Sequence, residues 1–254
     1  MQRTLEFPDL VTLIDERSAA FRTALAAAPT LDVTVPSCPE WTLFELARHL
    51  GEGRQAWAAT VAAGPGATSK APPGGPAAPH DREALTAWLA SSTQLLIDAL
   101  REAGPDRGCW TWWGDSQSPQ NSAAVARHQL QEVAVHTYDA QLTVGEAQPL
   151  PVDVALDGVD DFLSTCCATT AAWPHEPATL DYHATEGRSW RVELSAAGAR
   201  TGRAPADGAP ATAAASGTAG ELVLLFYGRI PLDALKLQGD TRVFDQIIAW
   251  DPSL

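Results

Sequence analysis

Four stretches of about twenty residues fill most of the first 144 positions, each returning apolar side chains at every third or fourth residue. Over residues 8–28, Leu10, Leu13, Ile14, Ala20, Phe21 and Leu25 share this spacing and predict an amphipathic helix. Thr42 and Glu45 form a T-x-x-E capping box that opens a second helix through Leu46, His49, Leu50 and Trp57. A third is expected over 81–103, with Leu85, Trp88, Leu89, Leu95, Leu96 and Leu100 on one side and Gly104-Pro105 as its stop. A fourth is expected over 120–144. Helices that each carry one apolar stripe bury it most simply against one another, which predicts a four-helix bundle. Between them, 31–39 must be extended because Pro36 and Pro39 forbid a helix, and the Pro/Gly-rich run 64–79 reads as a surface loop.

The pattern changes after Gly145. A Gln148-Pro149-Leu150-Pro151 linker precedes an expected helix over 152–170, and alternating segments at 178–183, 189–194 and 199–202 read as strands. The small-residue stretch 204–219 fits a long loop or a weak strand, and 221–227 a short helix or a strand. Val243, Phe244, Ile247, Ile248 and Trp250 give 241–250 a helical pattern. The expected fold class is therefore α+β, with the bundle over 1–147 and a small α+β domain over 148–254.

A net charge of −14 without any Lys/Arg cluster argues against nucleic acid and against an anionic membrane surface as partners. Asp9, Asp15, Glu16, Arg17 and Arg22 interrupt the first helix as no signal peptide is interrupted, and no apolar run approaches the roughly 20 residues of a membrane span. Cys38, Cys109, Cys166 and Cys167 lack C-x-x-C spacing, and the adjacent pair suits neither an ordinary disulfide nor a zinc knuckle. A cytoplasmic monomer acting on a small molecule is expected, and the wealth of Ala, Gly, Pro and Trp suggests a high-GC, actinobacterial source.

The chemistry concentrates on the fourth helix. Glu132 and His136 are four residues apart, one turn from each other on one face. His49 on the second helix can complete a two-His, one-carboxylate set with an open fourth position, as catalytic metals require. Zinc accepts these ligands, and ferrous iron is suited by the same set. Asp139 lies three residues beyond His136 and can orient its ring as an acceptor. Spacing alone leaves a second reading open, in which Glu132 and His136 are an exposed helical pair and His49 is a satisfied core histidine. His128, four residues before Glu132, competes for a ligand role, while His80, His175 and His183 read as structural or solvated. Cys38 has no evident base nearby and reads as a small buried hydrophobe.

Several motifs carry a family resemblance. Val35-Pro36-Ser37-Cys38-Pro39-Glu40-Trp41-Thr42 with Ala47-Arg48-His49-Leu50-Gly51, the Trp110-Thr111-Trp112 loop, and Arg127 with Gln131 through Asp139 resemble, in order, the mycothiol-dependent maleylpyruvate isomerase family. Gly217 through Leu222, Gly228-Arg229-Ile230-Pro231-Leu232 and Leu237 through Asp240 resemble that family's closing domain. The resemblance implies a DinB-like bundle, a sterol-carrier-like C-terminal domain, and His49, Glu132 and His136 as metal ligands. It implies zinc and mycothiol as cofactors, the thiol attacking a small electrophile such as a carboxylate in cis-trans isomerisation or S-transfer. Trp41 and Trp112 are expected beside the thiol, although each alone reads as core. Arg229 is expected either to pair with a substrate carboxylate or to fix its own turn. Gln131 stands where many relatives carry His, and Thr137 where many carry Arg or His, so both are expected to bear on substrate choice. Rival readings are a ferrous oxygenase or hydrolase on the same bundle, and a non-catalytic small-molecule binder.

Overall fold

A computed structural model describes residues 4–145, 147–205 and 208–250. It divides into two compact units: one runs to Trp112 and adds Pro119–Val154, and the other comprises Trp113–Ser118 and the chain from Ala155 onward.

The first unit is the expected bundle. Its helices are α1 (Phe7–Ala27), α2 (Leu43–Ala63), α3 (Arg82–Ala103) and α4 (Ser122–Thr143), with α2 packed on α3 and α1 on α4. The predicted capping box opens α2: Thr42 Oγ1 accepts from the Glu45 amide, and the Thr42 amide donates to Glu45 Oε2 at 2.8 Å. Asp81 caps α3 by accepting from the Ala84 amide at 2.9 Å, and Gly104, at φ +67°, ends it. Asn121 caps α4 by accepting from the Ala124 amide. Phe21, Leu25, Leu43, Leu46, Leu50, Leu85 and Leu89 meet in one buried cluster. Helices α2 and α3 approach closely at Gly51, where an added Cβ would overlap the Trp88 ring. The proline-bearing segment before α2 is a short hairpin, β1 (Thr34–Val35) against β2 (Cys38–Thr42).

The second unit contains most of α5 (Val152–Phe162), and the expected helix over 152–170 is cut short. A π-helical turn, Leu163–Cys167, follows α5, and Ala168 returns to an extended conformation. Five strands follow: β3 (Ala178–Ala184), β4 (Ser189–Ser195), β5 (Gly198–Arg203), β6 (Ala213–Gly217) and β7 (Lys236–Gly239). They form one sheet in the order β5-β4-β3-β6-β7, with β3 and β6 parallel and every other pair antiparallel. Trp190, Val192 and Leu194 alternate inward along β4. Asp160 joins α5 to the sheet by accepting from Trp190 Nε1, Arg188 and Arg203 at 2.6, 3.0 and 2.9 Å. Of the two readings of 221–227, the helix prevails: α6 (Ala219–Phe226) opens on a second capping box, Thr218 with Glu221. Helix α7 (Arg242–Ala249) follows β7. Among the described residues, no helix is long and apolar enough to cross a membrane.

Candidate metal centre

Helix α2 presents His49 toward α4, and α4 presents Glu132 and His136 from successive turns. One ligand atom from each falls within 4.8 Å of the others, the only such His/Cys/Asp/Glu group among the described residues. His49 Nε2 lies 2.7 Å from Glu132 Oε1, and His136 Nε2 lies 3.6 Å from the same oxygen. Zinc bonds of about 2.0–2.2 Å in tetrahedral geometry separate their ligand atoms by roughly 3.3 Å. The observed spacings straddle that value, so small side-chain shifts would suffice to enclose an ion. His49 and Glu132 remain 41% and 27% exposed, which leaves one side accessible to a further ligand. Two imidazoles, one carboxylate and an open side fit a catalytic divalent metal.

The far side of the set is buried and ordered. His136 Nδ1 donates to Asp139 Oδ2 at 2.9 Å, which turns Nε2 toward Glu132. Asp139 is fully buried and is itself held by the hairpin turn: Ser37 Oγ donates to it at 2.6 Å, and Cys38 Sγ lies 3.9 Å from its other oxygen. Cys38 therefore acts as a weak donor here.

Without a metal, the triad is held by its own charges. Burial opposes the charged form of His136, yet its bonds to Asp139 and Glu132 outweigh that and lift its pKa to about 9. Burial likewise opposes the Glu132 carboxylate, and hydrogen bonds from His136 and His49 overcome it, holding Glu132 well below the usual carboxylate range. Deeper in the bundle, Arg54 is 2% exposed and donates to Thr93 Oγ1. Burial and the neighbouring Arg22 lower its pKa to about 9, while Glu132 and Asp15 partly restore it.

Trp41, at the end of β2, sets its ring 4.8 Å from that of His49 and 6.2 Å from that of His136. Trp112 is half exposed and lines a cavity of about 140 Å³ beside the triad, together with His49, Trp57, Lys70, His128 and Glu132. His128 shares this wall but stays outside the ligand group, its ring edge-on to Trp112 at 5.6 Å. Arg229, in the second unit, donates to the Tyr227 carbonyl of its own turn.

Two expectations need correction. Gln131 is fully buried and donates to the Val154 carbonyl, and Thr137 bonds the carbonyls of Val133 and Arg17. Neither lines the cavity, because a neighbour in sequence lies about 100° away around a helix. Ser37 and Lys70 carry no functional signal of their own in the sequence. Ser37 is a single polar residue in a turn, and Lys70 stands in a stretch otherwise legible only as loop.

Residues 11–141 match the mycothiol maleylpyruvate isomerase N-terminal domain, and residues 153–246 match the MDMPI C-terminal domain. Similar solved structures include two crystal structures of the mycothiol-dependent maleylpyruvate isomerase, one of them a mutant. Each is 14% identical to this chain, with a TM-score of 0.61, over 92% of this chain and 93% of the other. At that identity the likeness is one of fold. No curated protein sequence matches the chain.

Proposed function

Because the chain belongs to the mycothiol maleylpyruvate isomerase family of enzymes, we propose that His49, Glu132 and His136 hold a divalent metal that activates the thiol of mycothiol. The convergence of these three ligand atoms at a partly exposed wall carries this reading. Zinc suits the donor set best, since it accepts imidazole and carboxylate together in a four-coordinate site with one open position. When bound, the ion and the thiol supply a sulfur nucleophile near neutral pH, able to add reversibly to an activated double bond or to remain on the product.

The chain's own residues prepare that chemistry. Asp139 fixes the His136 ring and leaves its Nε2 available to the ion. Ser37 keeps Asp139 in place from the hairpin. The Trp41 ring lies against both imidazoles and keeps water from that side, and Trp112 offers an exposed face at the cavity wall, where a thiol's carbon skeleton can rest. The small electrophile enters the same cavity, and isomerisation of a cis double bond is the reaction that best accords with the family. Metal analysis and thiol-binding measurements on His49→Ala and His136→Ala test the reading. Both variants are expected to lose the ion and thiol-dependent turnover while keeping their helical content. Full metal occupancy in both would overturn it.

A further inference from the structure

The 140 Å³ cavity beside the triad includes one lysine in its wall, Lys70, one of only two lysines in the chain. It stands on the loop between α2 and α3, which composition marks as an ordinary surface loop but which is pinned to the bundle at three points. The Ala71 amide donates to Thr60 Oγ1 at 2.9 Å, the Gly75 amide to Gln55 Oε1 at 3.2 Å, and Trp88 Nε1 to the Pro76 carbonyl at 2.8 Å. The first pin is adjacent to Lys70 and holds its backbone against α2. The ammonium lies 5.1 Å from the centroid of the Trp57 ring, so an aromatic face directs it. Among the described residues it makes no hydrogen bond and no ion pair, in a chain whose net charge of −14 makes acidic partners plentiful. Partial burial disfavours its charge, and the Glu132 carboxylate across the cavity supports it.

We propose that Lys70 is a specificity-determining residue that pairs with a carboxylate of the electrophile. The inference rests on the thiol-activating reading of the same site and on the place of this ammonium in the cavity wall beside His49 and Glu132. In the metal-free chain, the Glu132 carboxylate across the cavity favours the charged ammonium. Once Glu132 is committed to a divalent ion, Lys70 would keep its positive charge at the cavity wall without that support. A carboxylate on the other reactant would then find its counter-charge at Lys70. A carboxylate paired with Lys70 would orient that reactant beside His49 and Glu132, and an uncharged analogue would lack the anchor.

The test uses zinc-loaded protein saturated with mycothiol and titrates it with succinate, a dicarboxylate with no double bond to react. Lys70→Met is expected to weaken succinate binding by roughly 10-fold or more, as loss of a charge-assisted bond does, and Lys70→Arg to stay within about threefold. Dimethyl succinate, which has no charge, should bind both proteins equally. Mycothiol binding, read from the absorbance of the cobalt-substituted protein, should be the same in Lys70→Met and the wild type. Equal succinate affinity with and without Lys70, or no succinate binding by the wild type, overturns the proposal and leaves the thiol-activating reading intact. Failure of mycothiol to perturb the wild-type cobalt spectrum overturns that underlying reading instead.

Discussion

Replacing Asp139 with asparagine preserves shape and removes one charge from behind the metal ligands. In the wild type, the fully buried carboxylate takes a bond from His136 Nδ1 at 2.9 Å and from Ser37 Oγ at 2.6 Å, with the Cys38 sulfur 3.9 Å away. Asparagine offers one acceptor oxygen in place of two and brings an NH₂ group to the other position. Ser37 can rotate to accept from that group, so His136 keeps at best a neutral bond. Hydrogen bonds to charged groups contribute about 1.5–3 kcal/mol and neutral ones about 0.5–1.5 kcal/mol. The His136 ring thus loses about 1–2 kcal/mol of orientation, which converts to roughly 5- to 30-fold weaker metal binding. That overlaps the 10- to 100-fold range usual for partners behind a metal ligand. Competition with a chromophoric chelator, on protein stripped of metal, measures the change. Ser37→Ala serves as the control, because it leaves the carboxylate in place and should cost less than about threefold in metal affinity. Proton titration of the His136 ring in the stripped Asp139→Asn protein should give a pKa below the wild-type value of about 9. A folded Asp139→Asn protein that takes up zinc within threefold of the wild type would refute this account of the carboxylate.

Two further perturbations test the packing and the charge balance. Gly51→Ala places a methyl group into the Trp88 ring, and displacing that ring is expected to cost about 1–3 kcal/mol, more than the roughly 1 kcal/mol alanine gains in a helix. Gly53→Ala, on the same helix with nothing within 4 Å of the added atom, should instead stabilise by about 0.5–1 kcal/mol; thermal unfolding that ranks the two variants in the opposite order would refute the packing. In the metal-free protein, the raised pKa of His136 means that its charged form stabilises the fold. That contribution is fully present below about pH 6.5 and is lost as the pH rises through about 9, so thermal stability should fall across this window. With the ion bound, His136 Nε2 is occupied and the fall should vanish, so parallel stability curves for stripped and loaded protein would contradict the assignment.

The parts legible in the sequence share a physical reason. Thr42 with Glu45, and Glu132 with His136, act within one helix at fixed spacing, so a linear reading finds them. The bundle follows from apolar stripes such as that of α3, whose Leu85, Leu89 and Leu96 are fully buried. What stayed open, as β6 did between a long loop and a weak strand, or was missed depends on neighbours distant in the chain. Strand β6 consists of Ala213, Ala214, Ala215, Ser216 and Gly217, which show no apolar alternation, and it forms only because β3 and β7 flank it. Ser37 reaches Asp139 across 102 residues of sequence. Gln131 and Thr137 are a different case, because helical arithmetic already places each about 100° away from the adjacent ligand. Adjacency in the chain concealed that they face α1 and Val154, away from the cavity.

The distribution of the triad along the chain has a consequence for assembly. Glu132 and His136 come as a pair on a single helix, whereas His49 stands 83 residues upstream of Glu132. Before α2 docks onto α4, only two members of the triad, Glu132 and His136, stand together, and the third arrives with that docking. Under the assignment proposed above, tight metal uptake becomes a report on bundle closure, and an ion once enclosed ties together a loop of more than eighty residues. Withdrawing it would loosen the helices as a unit, so chelation and heating should act on the same cooperative transition.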